Sequence, residues 1–110
     1  MEALAAATAL LRYEDRDVSW CSCTVENADA HAGHTETSVL LHISPRDVWT
    51  DERLPGNSAP LADLLPQMRR GGVAAVSDLG VLGDPTTATA AEGERILAAM
   101  VEGCLQRIDR

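Results

Sequence analysis

The sequence predicts an α/β fold with a parallel sheet, because helix-patterned and strand-patterned segments alternate along it and turn residues separate them. The order is helix, strand, helix, helix, strand, helix. Its 110 residues suffice for a single domain around one hydrophobic core, and no internal repeat or low-complexity stretch divides them.

Residues 2–14 carry Leu4, Ala7 and Leu11 at helical spacing, with alanine, the best helix former, between them. Residues 17–25, Asp-Val-Ser-Trp-Cys-Ser-Cys-Thr-Val, are rich in β-formers and alternate in places, so they read as a strand. A loop over 26–33 leads into a short helix over 35–43, where Val39, Leu40 and Ile43 mark a buried face and Pro45 ends the run. Residues 50–60 hold Pro55, Gly56, Asn57 and Pro60, the chemistry of a surface connection. Leu61, Leu64, Leu65 and Met68 then fall at i, i+3, i+4 and i+7, predicting a helix that Pro66 kinks or shortens and Gly71-Gly72 closes. Residues 73–77 are a short apolar run, read as a buried strand, and 78–85 are loop. Thr89 followed by Glu92 is a capping-box pattern, opening a helix whose stripe runs Ile96, Leu97, Met100, Val101, Cys104, Leu105, Ile108.

These helices have more apolar face than two strands, or three if residues 47–50 extend, can cover, since parallel sheets are normally several strands wide with both faces covered. Neighbouring strands are therefore expected from a partner chain or from sequence upstream of Met1.

The charge of −8, with arginine as the only cationic residue type besides histidine, makes an acidic surface that repels phosphate backbones and anionic lipid headgroups. Nucleic acid and membrane are excluded as partners on that ground. No apolar run approaches the roughly 20 residues of a membrane span, and the N-terminus lacks the pattern of a secretion leader, so the reading is a soluble cytoplasmic protein. Cys21, Cys23 and Cys104 are an odd set without a disulfide framework. Cys21 and Cys23 share a face of the expected strand, where metal binding is conceivable and core packing is the commoner fate.

The densest group of ligating side chains is Asp29-Ala-His31-Ala-Gly-His34-Thr-Glu36, at a strand-to-helix transition, the place where open α/β sheets put their sites. Imidazole and carboxylate together suit zinc, manganese or iron(II), and a histidine outside the metal shell can move protons near neutral pH. Blander roles fit the same residues. Glu36 in a first helical turn is favourable against the helix dipole without any metal, Asp29 can cap a turn, and His34 and His42 read as solvent-facing.

The string His31-Ala-Gly-His-Thr-Glu36-Thr37-Ser38 resembles the His-Ala-Gly-x-x-Glu-Thr-Ser block of the creatininase family. Gly80-Val-Leu-Gly83-Asp84-Pro85, followed by Ala88-Thr89-Ala-x-x-Gly93, resembles that family's second C-terminal block. Asp29 to Ser38, and the stretches 56–66 and 71–77, are similar to the mycofactocin-associated peptidase branch, so the likeness covers essentially the whole chain.

The resemblance implies a three-layer α/β/α fold with a mostly parallel sheet, and divalent-metal hydrolysis of an amide or peptide bond by a metal-acidified water. It implies zinc, iron or manganese as the cofactor, a peptide or small amide as the substrate, and trimming of a precursor peptide for the branch most like this chain. By position His31 matches the family's proton-handling catalytic histidine and Glu36 a carboxylate that reaches the metal. Asp29 and Asp84 are assigned to substrate binding, Asp84 being equally readable as the middle of a Gly-Asp-Pro turn.

The family's upstream Glu-x-His, Asp and Asn-Gly-His-Gly-Gly-Asn ligand segments have no counterpart here, so residues 1–110 read as one partial domain, the C-terminal half of the fold. His31 and Glu36 alone fall short of the three protein ligands usual for catalytic zinc. The expectation is activity as part of a complete enzyme, through a homo-oligomer or association with an N-terminal half. The alternatives are a partner-dependent structural module without activity and, ranked last, a small metal-binding protein using Asp29, His31, His34 and Glu36.

Overall fold

The computed structural model describes residues 2–108. Four α-helices carry it: α1 (Glu2–Tyr13), α2 (His34–Ile43), α3 (Leu61–Gly71) and α4 (Ala90–Ile108), with single 3-10 turns at Pro45–Asp47, Thr50–Glu52, Val73–Ala75 and Pro85–Thr87. No helix is long and apolar enough to cross a membrane among the described residues.

The centre is the crossing of α2 on α4. Val39, Leu40 and Ile43 were expected to mark the buried face of α2, but Leu40 and Ile43 are exposed and the buried residues are Thr35 and Ser38. The reason is steric. Gly93 of α4 lies so near α2 that a Cβ there would sit 1.9 Å from the Ser38 carbonyl oxygen, so small residues rather than large aliphatic ones meet at the crossing. Ser38, fully buried, turns its hydroxyl to the Thr89 amide at 3.3 Å, just ahead of α4. Thr89 is the expected cap: its Oγ1 accepts from the Glu92 amide at 3.1 Å.

The two expected strands are absent as strands. Residues 73–77 curl into a turn in which the Val76 and Ser77 amides both donate to the Val73 carbonyl, at 3.0 Å each. Residues 17–25 are free of helix, yet no backbone amide among them donates to another backbone carbonyl among the described residues. A strand is defined by its partner, and the only carbonyls engaged here, those of Val18 and Ser22, accept from Arg12 and Arg107 side chains. Residues 47–50 likewise form no strand. The only sheet-like pairing among the described residues is one antiparallel bridge, His31 with Leu82. Pro66 neither ends nor shortens α3, which runs on to Gly71, where Gly72 takes a φ of 70° and returns its amide to Met68 at 2.8 Å.

The core is small: Leu64, Leu82 and Ala88 are its buried apolar residues. The accessible surface is 8095 Å2, against about 5,900 Å2 for a folded monomer of this mass. The radius of gyration is 16.9 Å, against about 13 Å for a compact domain of similar length. Leu10 and Tyr13 on α1, and Val101, Leu105 and Ile108 on α4, stand exposed, so the apolar stripe read from the sequence is real on α4 but half of it faces outward.

The α2 and α4 contact generates a paired test. Gly93→Ala should lower unfolding free energy by about 1–3 kcal/mol through overpacking, whereas Gly103→Ala, with open space at its Cβ position, should raise it by about 0.5–1 kcal/mol. Urea denaturation followed by circular dichroism measures both. Equal effects of the two substitutions would contradict the packing described.

Candidate functional site

The segment 29–36 is built around the Asp29 carboxylate. Oδ1 accepts the Thr35 amide at 2.9 Å and Oδ2 accepts the His34 amide, so one side chain satisfies the first two amides of α2, which helical geometry leaves unpaired. Two glycines make room for it. A Cβ at Gly33 would lie 1.6 Å from Asp29 Oδ2, and one at Gly83, where φ is 153°, would lie 2.2 Å from the same atom. The carboxylate is thus walled by one glycine from each of the two sequence blocks.

His31 is fixed through its backbone. Its amide and that of Ala30 donate to the Leu82 carbonyl at 3.1 Å, and the Leu82 amide returns a bond to the His31 carbonyl at 2.9 Å. Ala32 then adopts a φ of 52°, a left-handed backbone that costs a residue with a Cβ about 1–2 kcal/mol. Its amide donates to Glu36 Oε2, and the same oxygen lies 3.3 Å from His31 Nδ1. His31 and Glu36 therefore meet as a pair, both well exposed, at 61% and 59% of their side-chain surface.

The other assigned residues fall around a cleft of about 540 Å3 lined by Asp29, His34, Thr35, Leu82, Asp84 and Thr87 among others. His31 and Glu36 are not among its lining residues. His34, expected to face solvent, is half-buried, and its Nδ1 is 2.8 Å from Thr87 Oγ1 of the second block; His42 is exposed as expected. Asp84 does cap a turn: Oδ1 accepts the Thr86 amide at 2.9 Å and the Thr86 hydroxyl at 2.5 Å, while Oδ2 has no protein partner among the described residues. Those two Thr86 bonds, hydroxyl first, hold the Asp84 carboxyl below its ordinary value. Cys21 and Cys23 are exposed rather than packed in a core.

Residue types at spacing did not disclose several of the parts. Thr87 and Ser38 are threonine and serine among many, and Arg53, whose Nη1 holds the Ala88 carbonyl at 3.0 Å and the Pro85 carbonyl at 3.3 Å, carries no local signature at all. Gly33 and Gly83 were visible as family glycines, but only the fold shows that they face the same carboxylate.

As a metal centre the arrangement is partial. No group of three or more His, Cys, Asp or Glu side chains converges among the described residues, and the His31 and Glu36 pair offers two donors where catalytic zinc has three from protein.

Asp29 also gives the site a pH signature. Partial burial pushes its carboxyl up, but the amide and hydroxyl of Thr35 with the amide of His34 outweigh burial, and the net shift is downward. A depressed native value means the unfolded chain binds the proton more readily, so the stabilisation is complete above the unfolded carboxylate pKa of about 3.9 and is lost as pH falls through the native value. Denaturant midpoints measured from pH 6 downward should fall more steeply for the native chain than for Asp29→Asn; identical slopes would show that the carboxylate is not held in this way.

The creatininase family profile, described as creatinine amidohydrolase, matches residues 1–108. The chain is 74% identical over 110 residues to the mycofactocin precursor peptide peptidase of Mycolicibacterium smegmatis, covering all of this chain and 44% of that protein. It is 67% identical over 108 residues to the protein of the same name from Mycobacterium tuberculosis, and 64% identical over 110 residues to that from Mycobacterium ulcerans, covering 43% and 44% of their lengths. The chain thus spans less than half the length of the curated relatives it matches. No solved structure matches it. With both sequence blocks brought together around Asp29 and the family profile matched over nearly every residue, the chain belongs to the creatininase family.

Proposed function

We propose that this chain supplies part of the active-site wall of a metal-dependent peptide hydrolase, which trims a mycofactocin precursor peptide when the rest of the family fold is present. The observation that carries the reading is the His31 and Glu36 pair, 3.3 Å apart, on a chain 74% identical to a peptidase of that name. His31 handles the proton passed between the attacking water and the leaving amine, and Glu36 would give one carboxylate to a divalent zinc, iron or manganese ion whose other ligands would come from family segments this chain does not span. When bound, such an ion supplies an acidified water and a polarised carbonyl. The substrate peptide runs along the cleft beside His34 and Thr87, where the unpartnered Oδ2 of Asp84 can accept from a substrate amide.

Family membership implies an α/β-type fold. Residues 17–25, free of helix and with unpaired amides, take their place in its mostly parallel sheet once neighbouring strands are provided, in a cytoplasmic enzyme assembled with the remaining half or as a homo-oligomer. A second reading, favoured by the accessible surface far above that of a compact monomer, is a structural module that docks on a partner and hydrolyses nothing.

The test compares the chain alone with the chain co-expressed with the segment of the Mycolicibacterium smegmatis relative that it does not match. Alone, it should hold less than one metal ion per chain and leave the precursor peptide intact; together, the pair should hold metal and cleave the peptide. In the active assembly His31→Ala should lower kcat by about 10²–10⁴-fold, and Glu36→Gln should lower metal content. A metal-loaded assembly without turnover would sink the hydrolase reading in favour of the structural one.

A further inference from the structure

The two members of the His31 and Glu36 pair hang on separate anchors. His31 is tied through its backbone to Leu82, in the loop before the Pro85 turn, whereas Glu36 rides on the first turn of α2. Between them the Ala32 amide donates to Glu36 Oε2, a local tie that depends on the left-handed turn at Ala32 and on where α2 begins. A second tie, between the anchors themselves, is the Asp29 carboxylate. It precedes His31 by two residues, grips α2 at the His34 and Thr35 amides, and packs against Gly83, the neighbour of Leu82.

We infer that Asp29 is a positioning residue: by clamping the start of α2 to the loop that holds His31, its carboxylate sets Glu36 where it meets His31 Nδ1. Both Asp29 oxygens accept amides at the head of α2, so its effect on the pair runs through the helix start. The surroundings suit a carboxylate of this length. Glutamate would push its oxygens into the Gly33 and Gly83 backbones, and alanine would leave two amides at the head of α2 without their acceptor. Asparagine can accept one of the two amides but faces the other with a donor. The inference rests on the reading that His31 and Glu36 form the working pair.

Nitrogen-15 NMR of the histidine rings in the full chain, held at one neutral pH, tests it without any turnover. The His31 ring shift of the native chain, measured against Glu36→Gln, defines the signature of the pair. Asp29→Ala should lose more than half of that difference, Asp29→Asn should retain more of it than alanine does, and Thr87→Val, which removes a hydroxyl shared by His34 Nδ1 and the Asp84 carbonyl and leaves the Asp29 bonds in place, should keep it whole. If Asp29→Ala keeps its helical circular dichroism and the full signature, the inference is wrong. If that variant unfolds, Asp29→Asn decides by the same criterion; unfolding of both would make Asp29 a folding residue and overturn the positioning role. A native chain whose His31 shift is indifferent to Glu36→Gln also overturns it. Failure of the hydrolase reading shows separately, in the peptide assay, and leaves these shifts untouched.

Discussion

One carboxylate organises the site. Asp29 stands where two chain segments about fifty residues apart converge, and the two glycines that touch it are spaced by the fold rather than by the sequence. A helix start buried without acceptors would cost free energy for each amide left unpaired, so meeting those amides with a charged acceptor is what lets α2 begin inside the structure. The charge also suits the positive end of the helix dipole, and the local hydrogen bonds overcome the tendency of burial to protonate the group. What remains, the Leu82 bridge, the Ala32 turn and the Glu36 contact, is geometry made possible by that anchored start.

The second determinant is the absence of bulk between α2 and α4. Ser38 and Gly93 bring the two backbones to a distance at which a methyl group would collide, and the Ser38 hydroxyl turns what would be a buried polar liability into the acceptor for the Thr89 amide. This explains where the sequence misled. Periodicity ranks Val39, Leu40 and Ile43 as the inward face because they are apolar, but a close helix crossing selects small residues, and the apolar ones turn toward an open surface. The helices themselves were legible from spacing and capping. Thr89 and Glu92 marked the α4 start correctly, and Gly71 with Gly72 the end of α3.

The strands were not recoverable in the same way. β-propensity describes how well a side chain fits a half-buried pleated surface, so the pattern of residues 17–25 states a preference that only a neighbouring strand can realise. Without one, Trp20 stays exposed and the backbone amides stay unpaired with other backbone among the described residues. The run at 73–77 had less to hold it: following Gly72 with its φ of 70°, it closes its own hydrogen bonds in a turn. The sequence blocks marked His31, Glu36 and Asp84 as candidates by position. Their grouping was not legible there, since the separation of the exposed His31 and Glu36 pair from the cleft beside Asp84 arises from the path of the chain through Ala32.

The shared carboxylate has a consequence for how the structure comes apart. Because Asp29 contacts both the head of α2 and the wall at Gly83, neither element can swing away without stripping the other of its partner, and the hydrogen bonds at Leu82 lie in the same small enclosure. Local opening is then collective: the loop and the helix head form a single cooperative unit, not two segments fraying independently. Exposed as they are, His31 and Glu36 are both attached to that enclosure, one through the Leu82 bridge and the other through the head of α2.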